Sequence, residues 1–442
     1  MQNIKKIIKQ PDYFKNLVKD KGLDLDIDLL ISIYKKRSDL LKEVEKIRQR
    51  RNENVEEIKK IKGKPPKELI VKGRKIKAEL GEVEEEMAVV EEQYQNLMWK
   101  TPQIVSEDTP VGKDDSENVE RWRWSPETGK GGDPKKFDFK FKDHIELGES
   151  LNLLDLEKGV QTSGFRGYYL KNEAVLMHMG LMMYGLKFIQ SKGFQTFVPP
   201  TIVRDEALWG SGHFPFDEEN IYMVDSLKHF EEADEVEGKE KKYLIGTAEP
   251  SILNYSRDEV FEEEDLPRKY AGFSQCYRSE VGSYGKDTKG IYRIHEFMKI
   301  EQVVICDGKY DVSEEWHKKM LGYSEELLQK LELPYRVIQV CTGDMGAGKY
   351  KMYDIETWMP SRDSYGETHS ASNLGDWQAR RLNIKVKGKD GKKYYAHALN
   401  NTVIASPRIL IAIWENYQNP DGSITVPEVL REFVGKDIIE PR

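Results

Sequence analysis

The stretch Ile58-Lys-Lys-Ile-Lys-Gly-Lys-Pro-Pro-Lys-Glu-Leu69 separates two runs of heptad-spaced apolar residues. Steps of three and four residues connect the apolar positions of the second run, which are Leu69, Ile76, Leu80, Val83, Met87, Val90, Tyr94 and Leu97, with Gly73 filling the one missing step. The first run keeps the same steps through Ile33, Leu40, Val44, Ile47, Ile58 and Ile61, with Arg37, Arg51 and Asn54 occupying the intervening seam positions. This spacing is typical of a coiled coil, and proline at 65 and 66 ends a helix because it lacks an amide hydrogen. The sequence therefore predicts an antiparallel helical hairpin over about residues 27–100.

Charge is distributed unevenly along this hairpin. Residues 35–77 contain 17 Lys and Arg against seven Asp and Glu, whereas residues 78–92 contain seven Glu and no basic residue. The whole chain carries a formal charge of −8, so the +10 of residues 35–77 is set against −18 in the rest. A solvated coiled-coil face is the simpler reading, but a basic tip on an acidic protein also suits a polyanionic partner. Few aromatic residues lie near the tip, which favours contacts to the phosphates of a folded nucleic-acid helix over base stacking.

The overall composition predicts a folded protein of two or three domains, since 38% of the 442 residues are apolar and 33% are charged. No stretch approaches about 18 consecutive apolar residues, and the N-terminus lacks the apolar core of a secretory signal. The three cysteines are far apart, which gives no zinc spacing and suits a reducing compartment. We therefore expect a cytoplasmic protein without a zinc site.

A domain boundary is predicted where Thr101-Pro102 ends the second helix and the turn-rich residues 106–115 follow as a linker. This gives an N-terminal domain over residues 1–105 and a second domain over residues 106–442. The second domain combines an apolar helix at 174–190 with short β-type runs at 194–198, 302–306 and 335–340. These strands do not alternate with regular helices, so we expect an α+β fold with an antiparallel sheet flanked by helices.

Two other features of the second domain have simple structural interpretations. We expect the methionines of the apolar helix to pack in the core; they are Met177, Met179, Met182 and Met183. We expect the acidic run 231–240 to be a solvated loop.

The residues that suggest chemistry lie between Tyr277 and Glu301. The chain has neither of the common glycine-rich phosphate-binding motifs, so any phosphate binding must depend on side chains. The order of the segment indicates strand, loop and strand, with Arg278 two residues before Glu280 and Arg293 four residues before Phe297. An Arg fork binds phosphate or carboxylate, and an aromatic ring beside an Arg can hold a flat base between them. A surface salt-bridge ladder is an equally acceptable interpretation of this segment alone.

The wider pattern resembles the seryl-tRNA synthetase family of class II aminoacyl-tRNA synthetases, from the first residues to Arg431. Lys192-Gly-Phe-Gln-Thr-Phe-Val-Pro-Pro200 is similar to class II motif 1, and Tyr277-Arg-Ser-Glu280 with the following loop is similar to motif 2. Leu399-Asn-Asn-Thr-Val-Ile-Ala-Ser-Pro-Arg408, continuing to Glu415-Asn-Tyr-Gln418, is similar to motif 3. Gly246-Thr-Ala-Glu249, Gln378-Ala-Arg-Arg-Leu-Asn383 and the helical hairpin make the resemblance specific to the seryl enzymes.

The resemblance implies a coiled-coil arm that binds tRNA and a class II catalytic domain. It implies serine-tRNA ligase activity: serine reacts with ATP to give seryl-adenylate and pyrophosphate, and the seryl group then passes to the 3′ end of serine tRNA. Where a host has selenocysteine tRNA, that tRNA is a further expected substrate. ATP, Mg²⁺, the long variable arm of the tRNA and a homodimer are the expected partners, and the zinc-dependent type of seryl enzyme is not expected.

The resemblance also assigns roles to individual residues. Serine is expected to contact Thr247, Glu249, Arg278, Glu301, Asn400 and Thr402, with Glu301 and Thr402 on its hydroxyl. ATP is expected to contact Arg278, Ser279, Glu280, Arg293, Ile294, Phe297, Glu367, Thr368, His369, Ser370 and Arg408. Of these, Arg278, Glu280 and Arg408 are the expected catalytic residues, and Glu367 and Ser370 the expected Mg²⁺ ligands. The tRNA is expected to contact Arg37, Lys46, Arg48, Arg50, Arg51, Lys72, Arg74 and Lys75.

The chain departs from the common family pattern at three positions near the expected ATP site. His369 replaces a serine, Pro407 stands where many relatives have glycine, and Glu296 stands where glutamine is usual. Neither Pro407 nor Glu296 removes an expected ligand, and neutral drift is the simpler interpretation of His369. His295 has no metal-like partner in the sequence and is expected to be a satisfied core or loop histidine.

Two other functions are consistent with such a chain. An amino-acid-activating enzyme could load a carrier protein in place of tRNA, although a carrier ligase has no use for a basic arm. An RNA-binding paralogue could have lost activity, although this chain retains Arg278, Glu280, Arg293, Glu301, Glu367 and Arg408.

Overall fold

The computed structural model describes residues 1–225, 241–281 and 289–441. It divides into two compact units, Met1–Pro102 and Gln103–Arg442. The predicted acidic loop 231–240 and the central part of the motif 2 loop lie outside the described residues. None of the described helices combines the length and the apolar character needed to cross a membrane.

The N-terminal unit consists of helices. Two short ones, α1 (Ile4–Lys9) and α2 (Pro11–Asp20), precede the long helices α3 (Ile27–Lys59) and α4 (Lys67–Trp99). Asp26 caps α3 by accepting hydrogen bonds from the backbone amides of Asp28 and Leu29. Each long helix has 33 residues and is therefore about 50 Å long.

The two long helices are antiparallel, as the ion pairs Arg37–Glu91 and Arg50–Glu79 between them show. Their seam buries Leu40, Val44, Ile47, Ile76, Leu80 and Val90. The predicted helical hairpin is thus confirmed, with its turn at residues 60–66.

The seam position occupied by Gly73 has a steric explanation. A Cβ atom at this position would lie 3.0 Å from Nδ2 of Asn54, which is itself a seam residue of α3. Asn54 is buried, and its Nδ2 donates a hydrogen bond to the carbonyl oxygen of Leu69. The missing side chain in one helix therefore makes room for a polar side chain in the other.

The second unit is built on a nine-stranded sheet in the order β2-β1-β12-β13-β14-β17-β11-β10-β5. The numbering covers the nineteen described strands, of which nine form this sheet and ten form smaller sheets: β1 119–125, β2 129–130, β3 154–155, β4 169–170, β5 195–197, β6 202–204, β7 223–224, β8 242–244, β9 260–262, β10 268–277, β11 296–306, β12 335–339, β13 351–359, β14 364–373, β15 385–387, β16 393–395, β17 397–406, β18 424–425 and β19 438–439. All neighbours in the large sheet are antiparallel except β10 and β5. The predicted α+β fold is confirmed.

The helices described in this unit are α5 144–150, α6 156–163, α7 173–191, α8 205–211, α9 249–254, α10 310–330, α11 377–381, α12 408–416 and α13 431–434. Helix α7 packs on one face of the sheet, where a Cβ at Gly185 would lie 3.0 Å from side-chain atoms of Ile300 and Ile404. Side chains alternate along a strand, so Lys299 and Glu301 point to the opposite face from Ile300. The opposite face carries the polar site described below.

Two expectations about this unit are corrected. Residues 106–115 are not a free linker: the amide of Ser106 donates to the carbonyl of Tyr350, and that of Thr342 donates to the carbonyl of Pro110. These backbone bonds hold the segment against the sheet domain. Of the α7 methionines, Met177 and Met182 are buried, but Met179 and Met183 are exposed because they lie on the face of α7 turned away from the core.

Candidate active site

A cavity of about 600 Å³, open to solvent, lies where β10, β11, β14, β17 and α12 meet. Its lining comprises Arg278, Glu280, Tyr292, Arg293, Ile294, Phe297, Lys299, Glu367, Thr368, Ser370, Thr402, Ala405, Ser406, Pro407 and Arg408. The cavity brings together most of the residues predicted for ATP and the specificity residue Thr402. Four of the lining side chains are cationic, which suits a polyphosphate.

Arg278 follows β10 directly and is fixed through its own backbone. Its amide donates to the carbonyl of His295 at 2.9 Å, and Nδ1 of His295 lies 2.9 Å from the carbonyl oxygen of Arg278. His295 is therefore a satisfied loop histidine, as predicted. The Arg278 guanidinium donates from Nε to the carbonyl of Gly246 at 3.3 Å and lies 5.3 Å from the centroid of the Phe297 ring.

Glu280 and Arg293 form an ion pair of 2.6 Å inside the cavity. Glu280 has a φ of +54°, a left-handed conformation that a non-glycine residue adopts at some energetic cost. Ser279, also predicted for ATP, is not part of the cavity lining; its hydroxyl donates to the carbonyl of Glu219 and its amide to that of Asn220. These two bonds anchor the segment that carries Arg278 and Glu280.

Arg408 begins α12 and is held by two neighbours. Its Nε donates to the carbonyl of Tyr292 at 3.1 Å, and its Nη1 lies 2.8 Å from the carbonyl oxygen of Glu367 and 3.2 Å from Oε2 of Glu367. The guanidinium also lies 4.4 Å from the centroid of the Tyr292 ring. Sequence reasoning missed Tyr292, since its role depends on contacts to residues more than 70 positions away.

The charges around Glu367 favour its ionised form. Its recessed position tends to raise its pKa, but the guanidinium groups of Arg408 and Arg278 outweigh this and hold the pKa below the usual value. The negative charge of Glu367 in turn raises the pKa of Arg408, against the effect of burial. The pair is therefore fully charged at neutral pH.

Asp354 is a second carboxyl group near Glu367 that sequence reasoning missed. It lies directly opposite Ser370 on the paired strands β13 and β14, and Ser370 forms a hydrogen bond with it. Burial, followed by the charge of Glu367, raises its pKa well above the usual value. Its Oδ1 is buried and has no hydrogen-bond partner among the described residues.

A buried polar group built around Glu249 lies beside the cavity. Oε1 of Glu249 accepts hydrogen bonds from Nδ2 of Asn400 at 2.7 Å and from Nε2 of Gln378 at 2.5 Å. Oγ1 of Thr247 is buried without a hydrogen-bond partner in the described part of the chain. Glu249 and Thr247 thus provide a carboxylate and a hydroxyl for a small polar ligand. Sequence reasoning assigned Gln378 no individual role, since it was apparent only within the family-like segment Gln378–Asn383.

Glu301 and Thr402 form the floor next to this group. Thr402 Oγ1 donates to Oε2 of Glu301 at 3.4 Å, and Nζ of Lys299 lies 2.6 Å from the same oxygen. Burial raises the pKa of Glu301, and the charge of Lys299 opposes that rise. Lys299 was missed from the sequence, although it stands two residues before Glu301 and therefore on the same strand face.

The remaining predicted ATP residues differ in position. Ile294 and Thr368 line the cavity, whereas His369 is buried below it and is not among the lining residues. Nδ1 of His369 lies 2.9 Å from Oγ1 of Thr368, and Nε2 lies 3.1 Å from the carbonyl oxygen of Val403. Burial lowers the pKa of His369 to about 4. The histidine that replaces the family serine is therefore neutral and makes structural hydrogen bonds.

The residues predicted for tRNA fall into two groups within the N-terminal unit. Four are ion-paired across the hairpin, namely Arg37 with Glu91, Arg48 with Glu84, Arg50 with Glu79 and Lys72 with Glu57. Lys46, Arg51, Arg74 and Lys75 are exposed and have no ion-pair partner among the residues that the structure describes. The second group can bind phosphate without breaking an existing pair.

Two family models match the chain. Residues 1–105 match the seryl-tRNA synthetase N-terminal domain, and residues 229–417 match the tRNA synthetase class II core domain (G, H, P, S and T). Among named relatives, the serine–tRNA ligase of Rubrobacter xylanophilus is 38% identical over 443 residues, covering 100% of this chain and 99% of the relative. That of Deinococcus radiodurans is 41% identical over 435 residues, covering 98% of each.

Solved structures give the same picture. The seryl-tRNA synthetase from Pyrococcus horikoshii complexed with ATP has a TM-score of 0.86 and 36% identity, with 100% of both chains covered. The cytoplasmic serine–tRNA ligase from Naegleria fowleri in complex with AMP has a TM-score of 0.79 and 30% identity, covering 98% of this chain and 96% of that one.

Proposed function

This chain belongs to the seryl-tRNA synthetase family, a serine–tRNA ligase activity goes with that membership, and we propose that the cavity described above carries out its chemistry. The observation that carries the proposal is the continuity of two unlike sites. A cationic cavity suited to a nucleotide polyphosphate adjoins a buried carboxylate group suited to an amino acid. An enzyme that joins the two substrates needs both on one surface.

ATP is proposed to occupy the cationic part of the cavity. We assign Arg278 to bridge the α-phosphate and the serine carboxylate, since its guanidinium donates to the carbonyl of Gly246, the residue before Thr247, and lies 5.3 Å from the centroid of the Phe297 ring. Phe297 and Arg408 offer an aromatic ring and a planar guanidinium for the adenine base. Glu280 is assigned to the adenine and Arg293 to the γ-phosphate; their mutual ion pair of 2.6 Å satisfies both in the absence of ligand.

Serine is proposed to bind with its ammonium group on Glu249 and Thr247. Glu249 is held ready by Asn400 and Gln378, which donate hydrogen bonds to one oxygen and leave the other for the ligand. The buried hydroxyl of Thr247 has no hydrogen-bond partner among the described residues. This supports the placement, because leaving a buried polar atom unpaired costs about 1–3 kcal/mol unless a ligand pairs with it. Glu301 and Thr402 are assigned to the serine hydroxyl.

The family implies Mg²⁺, and the residues present fit it. Glu367 is ionised and Ser370 lines the cavity. Oδ1 of Asp354, which lies opposite Ser370 on the paired strand, has no hydrogen-bond partner in the described ranges. These groups supply the hard oxygen atoms that this ion prefers. We assign Glu367 and Ser370 as the residues that hold it. The bound ion would neutralise phosphate charge.

In the first proposed step, a serine carboxylate oxygen attacks the α-phosphorus and the bond to the leaving pyrophosphate breaks. Arg278 and Arg293 stabilise the charge on the phosphates as it moves to the leaving group. In the second, the terminal ribose hydroxyl of the tRNA attacks the activated carbonyl and AMP leaves. Neither step needs a covalent bond to the protein, and positioning by the arginines accounts for the catalysis.

The helical arm is proposed to bind the long variable arm of serine tRNA, and of selenocysteine tRNA where a host has one. Between residues 51 and 77 the tip carries ten basic residues and four acidic ones. Arg74 and Lys75 are exposed there and supply charge for phosphate contacts. We accordingly assign residues 1–105 to tRNA binding and residues 106–442 to catalysis in the cytoplasm.

A homodimer is proposed on the exposed face of α7. Leu176, Met179 and Met183 are each more than 40% exposed and follow helical spacing on one face. Val198, after motif 1 strand β5, is 83% exposed. Such an apolar face is unfavourable in water and suits a second copy of the same surface. Sedimentation of Met183→Glu should give a lighter species than the parent chain; an equal mass would contradict this face.

Pyrophosphate exchange tests the activity directly. The chain should exchange labelled pyrophosphate into ATP only when serine is present, and should then charge serine tRNA. Arg278→Gln should reduce exchange about 100- to 1,000-fold, as expected for loss of a transition-state charge contact. No serine-dependent exchange would refute the enzyme, and exchange without tRNA charging would favour a carrier-protein ligase.

A further inference from the structure

A buried hydrogen-bonded pair links α12 to α5 beneath the nucleotide cavity. Oε1 of Glu415, which is fully buried, accepts from the backbone amide of His144 at 3.0 Å and lies 2.9 Å from Nδ1 of its ring. Ser361 donates from its amide to Oε2 at 2.9 Å and from its hydroxyl to Oε1 at 2.8 Å. Because the Glu415 carboxylate accepts a hydrogen bond from Nδ1 of His144, Nδ1 carries the proton and Nε2 of the same ring acts as an acceptor.

Nε2 of His144 faces the chain that returns from the motif 2 loop. The amide of Ile291 donates to Nε2 at 3.4 Å. A Cβ atom at Gly290 would lie only 1.9 Å from the same nitrogen, and Gly290 has a φ of +68°. The backbone at residues 290 and 291 is therefore pressed directly against the histidine ring.

The next residues along this segment are the nucleotide contacts. The carbonyl of Tyr292 accepts from Nε of Arg408, and Arg293 pairs with Glu280. Arg408 stands seven residues before Glu415 on α12, about 10 Å along the same helix face. The contacts therefore form a closed chain, which runs from α12 through Glu415, His144, Ile291, Tyr292 and Arg408 back to α12.

We infer that His144 and Glu415 are positioning residues for ATP: they hold the 290–293 segment so that Tyr292 and Arg293 meet the nucleotide in register with Arg408. The inference rests on the proposed function, since it names what orients its nucleotide site. The serine-binding groups Glu249 on α9 and Thr402 on β17 are not part of this closed chain of contacts. Breaking this chain of contacts should therefore raise the KM for ATP more than the KM for serine.

Two substitutions of His144 separate its two hydrogen bonds. In His144→Asn the amide nitrogen takes the place of Nδ1 and keeps the bond to Glu415, but the side chain ends short of Ile291. In His144→Gln the amide oxygen reaches the place of Nε2 and can accept from Ile291. We expect His144→Asn to raise the KM for ATP about tenfold and His144→Gln to raise it less, with the KM for serine within twofold of the parent chain in both.

The wild-type chain must first show serine-dependent pyrophosphate exchange; failure there refutes the proposed function and not the positioning role. If it is active, an ATP KM within twofold in folded His144→Asn would overturn the inference. An equal rise in both KM values, or a better ATP KM in the Asn than in the Gln variant, would also overturn it, because the histidine would then be a general structural element. His397→Asn is the matched control, since His397 is buried and bonded to Ser313 at 2.9 Å in another part of the sheet; its ATP KM should not change.

Gly290→Ala tests the same contact from the other side. If the His144 variants do not fold, an unchanged ATP KM in folded Gly290→Ala alone would overturn the inference. The added methyl group should raise the ATP KM at least fivefold in the parent chain. In the His144→Asn background the shorter side chain leaves space for the methyl group, so the further rise should be smaller. Strictly additive effects of the two substitutions on the ATP KM would show that the contact between Gly290 and His144 does not cause the rise, and would overturn the inference.

Discussion

Thr402 and Glu301 lie directly opposite each other on the antiparallel strands β17 and β11, with Thr402 Oγ1 3.4 Å from Oε2 of Glu301. Lys299 lies 2.6 Å from the same carboxylate oxygen and provides charge compensation in a buried place. A polar pair of this kind is costly unless it binds something that hydrogen-bonds in return. In a pocket for an amino acid, that requirement distinguishes serine from alanine.

Thr402→Val should reduce discrimination between serine and alanine. Valine keeps the shape of threonine and removes only the hydroxyl, so the KM for ATP should stay within twofold. The kcat/KM for serine should fall about 10- to 100-fold, and that for alanine should change little, because hydrogen bonding to a substrate hydroxyl supplies the preference. Pyrophosphate exchange with each amino acid measures both.

Thr342→Val is a suitable control for this experiment. Thr342 is also buried, but its hydroxyl bonds to the backbone of Gly112 outside the cavity. The serine-over-alanine selectivity of Thr342→Val should equal that of the parent chain. If Thr402→Val retained the parent serine-over-alanine ratio, Thr402 would have to be removed from the hydroxyl site.

The buried histidines predict that stability falls in mild acid. Burial lowers the pKa of His369 to about 4, below the value of about 6.5 in an unfolded chain. The unfolded state therefore binds the proton first, so stability is complete above about pH 6.5 and decreases as the pH falls toward 4. For His369 alone the loss at pH 5 is about 2 kcal/mol.

Urea unfolding of the parent chain and of His369→Gln at pH 7 and pH 5 checks this expectation. The variant should lose about 2 kcal/mol less between the two pH values, whatever its stability at pH 7. His317→Gln should behave similarly, because burial also lowers the pKa of His317 to about 4. Parallel pH profiles for variant and parent would contradict the assignment.

The exposed bases of the arm should determine the salt dependence of tRNA binding. Arg74 and Lys75 are exposed without an ion-pair partner among the described residues, so replacing both with Gln should weaken tRNA binding about tenfold at low salt. The slope of log affinity against log salt should become less steep by about 1 to 2. Filter binding across a salt series measures both quantities.

Arg37→Gln provides the contrast in the same unit. Arg37 pairs with Glu91 at 2.6 Å and lies 5.0 Å from the centroid of the Tyr94 ring, so its contacts lie within the hairpin. This change should lower the melting temperature slightly and leave the salt slope unchanged. An unchanged slope in the Arg74 and Lys75 variant would mean that the tRNA approaches elsewhere.

The sequence predicted local features well and distant pairings poorly. Helix α3, helix α4 and the strands on either side of the motif 2 loop follow from periodicity and proline, which act within a few residues. Tyr292, Asp354 and His144 had no such signal, because each acquires its role from a partner on another element. Even Gly73 could be identified as a gap in the seam, but its partner Asn54 is apparent only when the helices are paired.

Shortening the arm should separate the two steps of the reaction. Residues 41–87 can be replaced by a short glycine-containing turn, since antiparallel helices 8–10 Å apart are joined by loops of about 2–5 residues. The Arg37–Glu91 pair at the base of the hairpin then remains. Because the cavity residues all belong to the second unit, serine-dependent pyrophosphate exchange should stay within about twofold, whereas kcat/KM for tRNA charging should fall at least about 100-fold as the phosphate contacts are lost. Equal losses in exchange and charging would show that the arm supports the catalytic unit itself, and would contradict the assignment of tRNA binding to the hairpin.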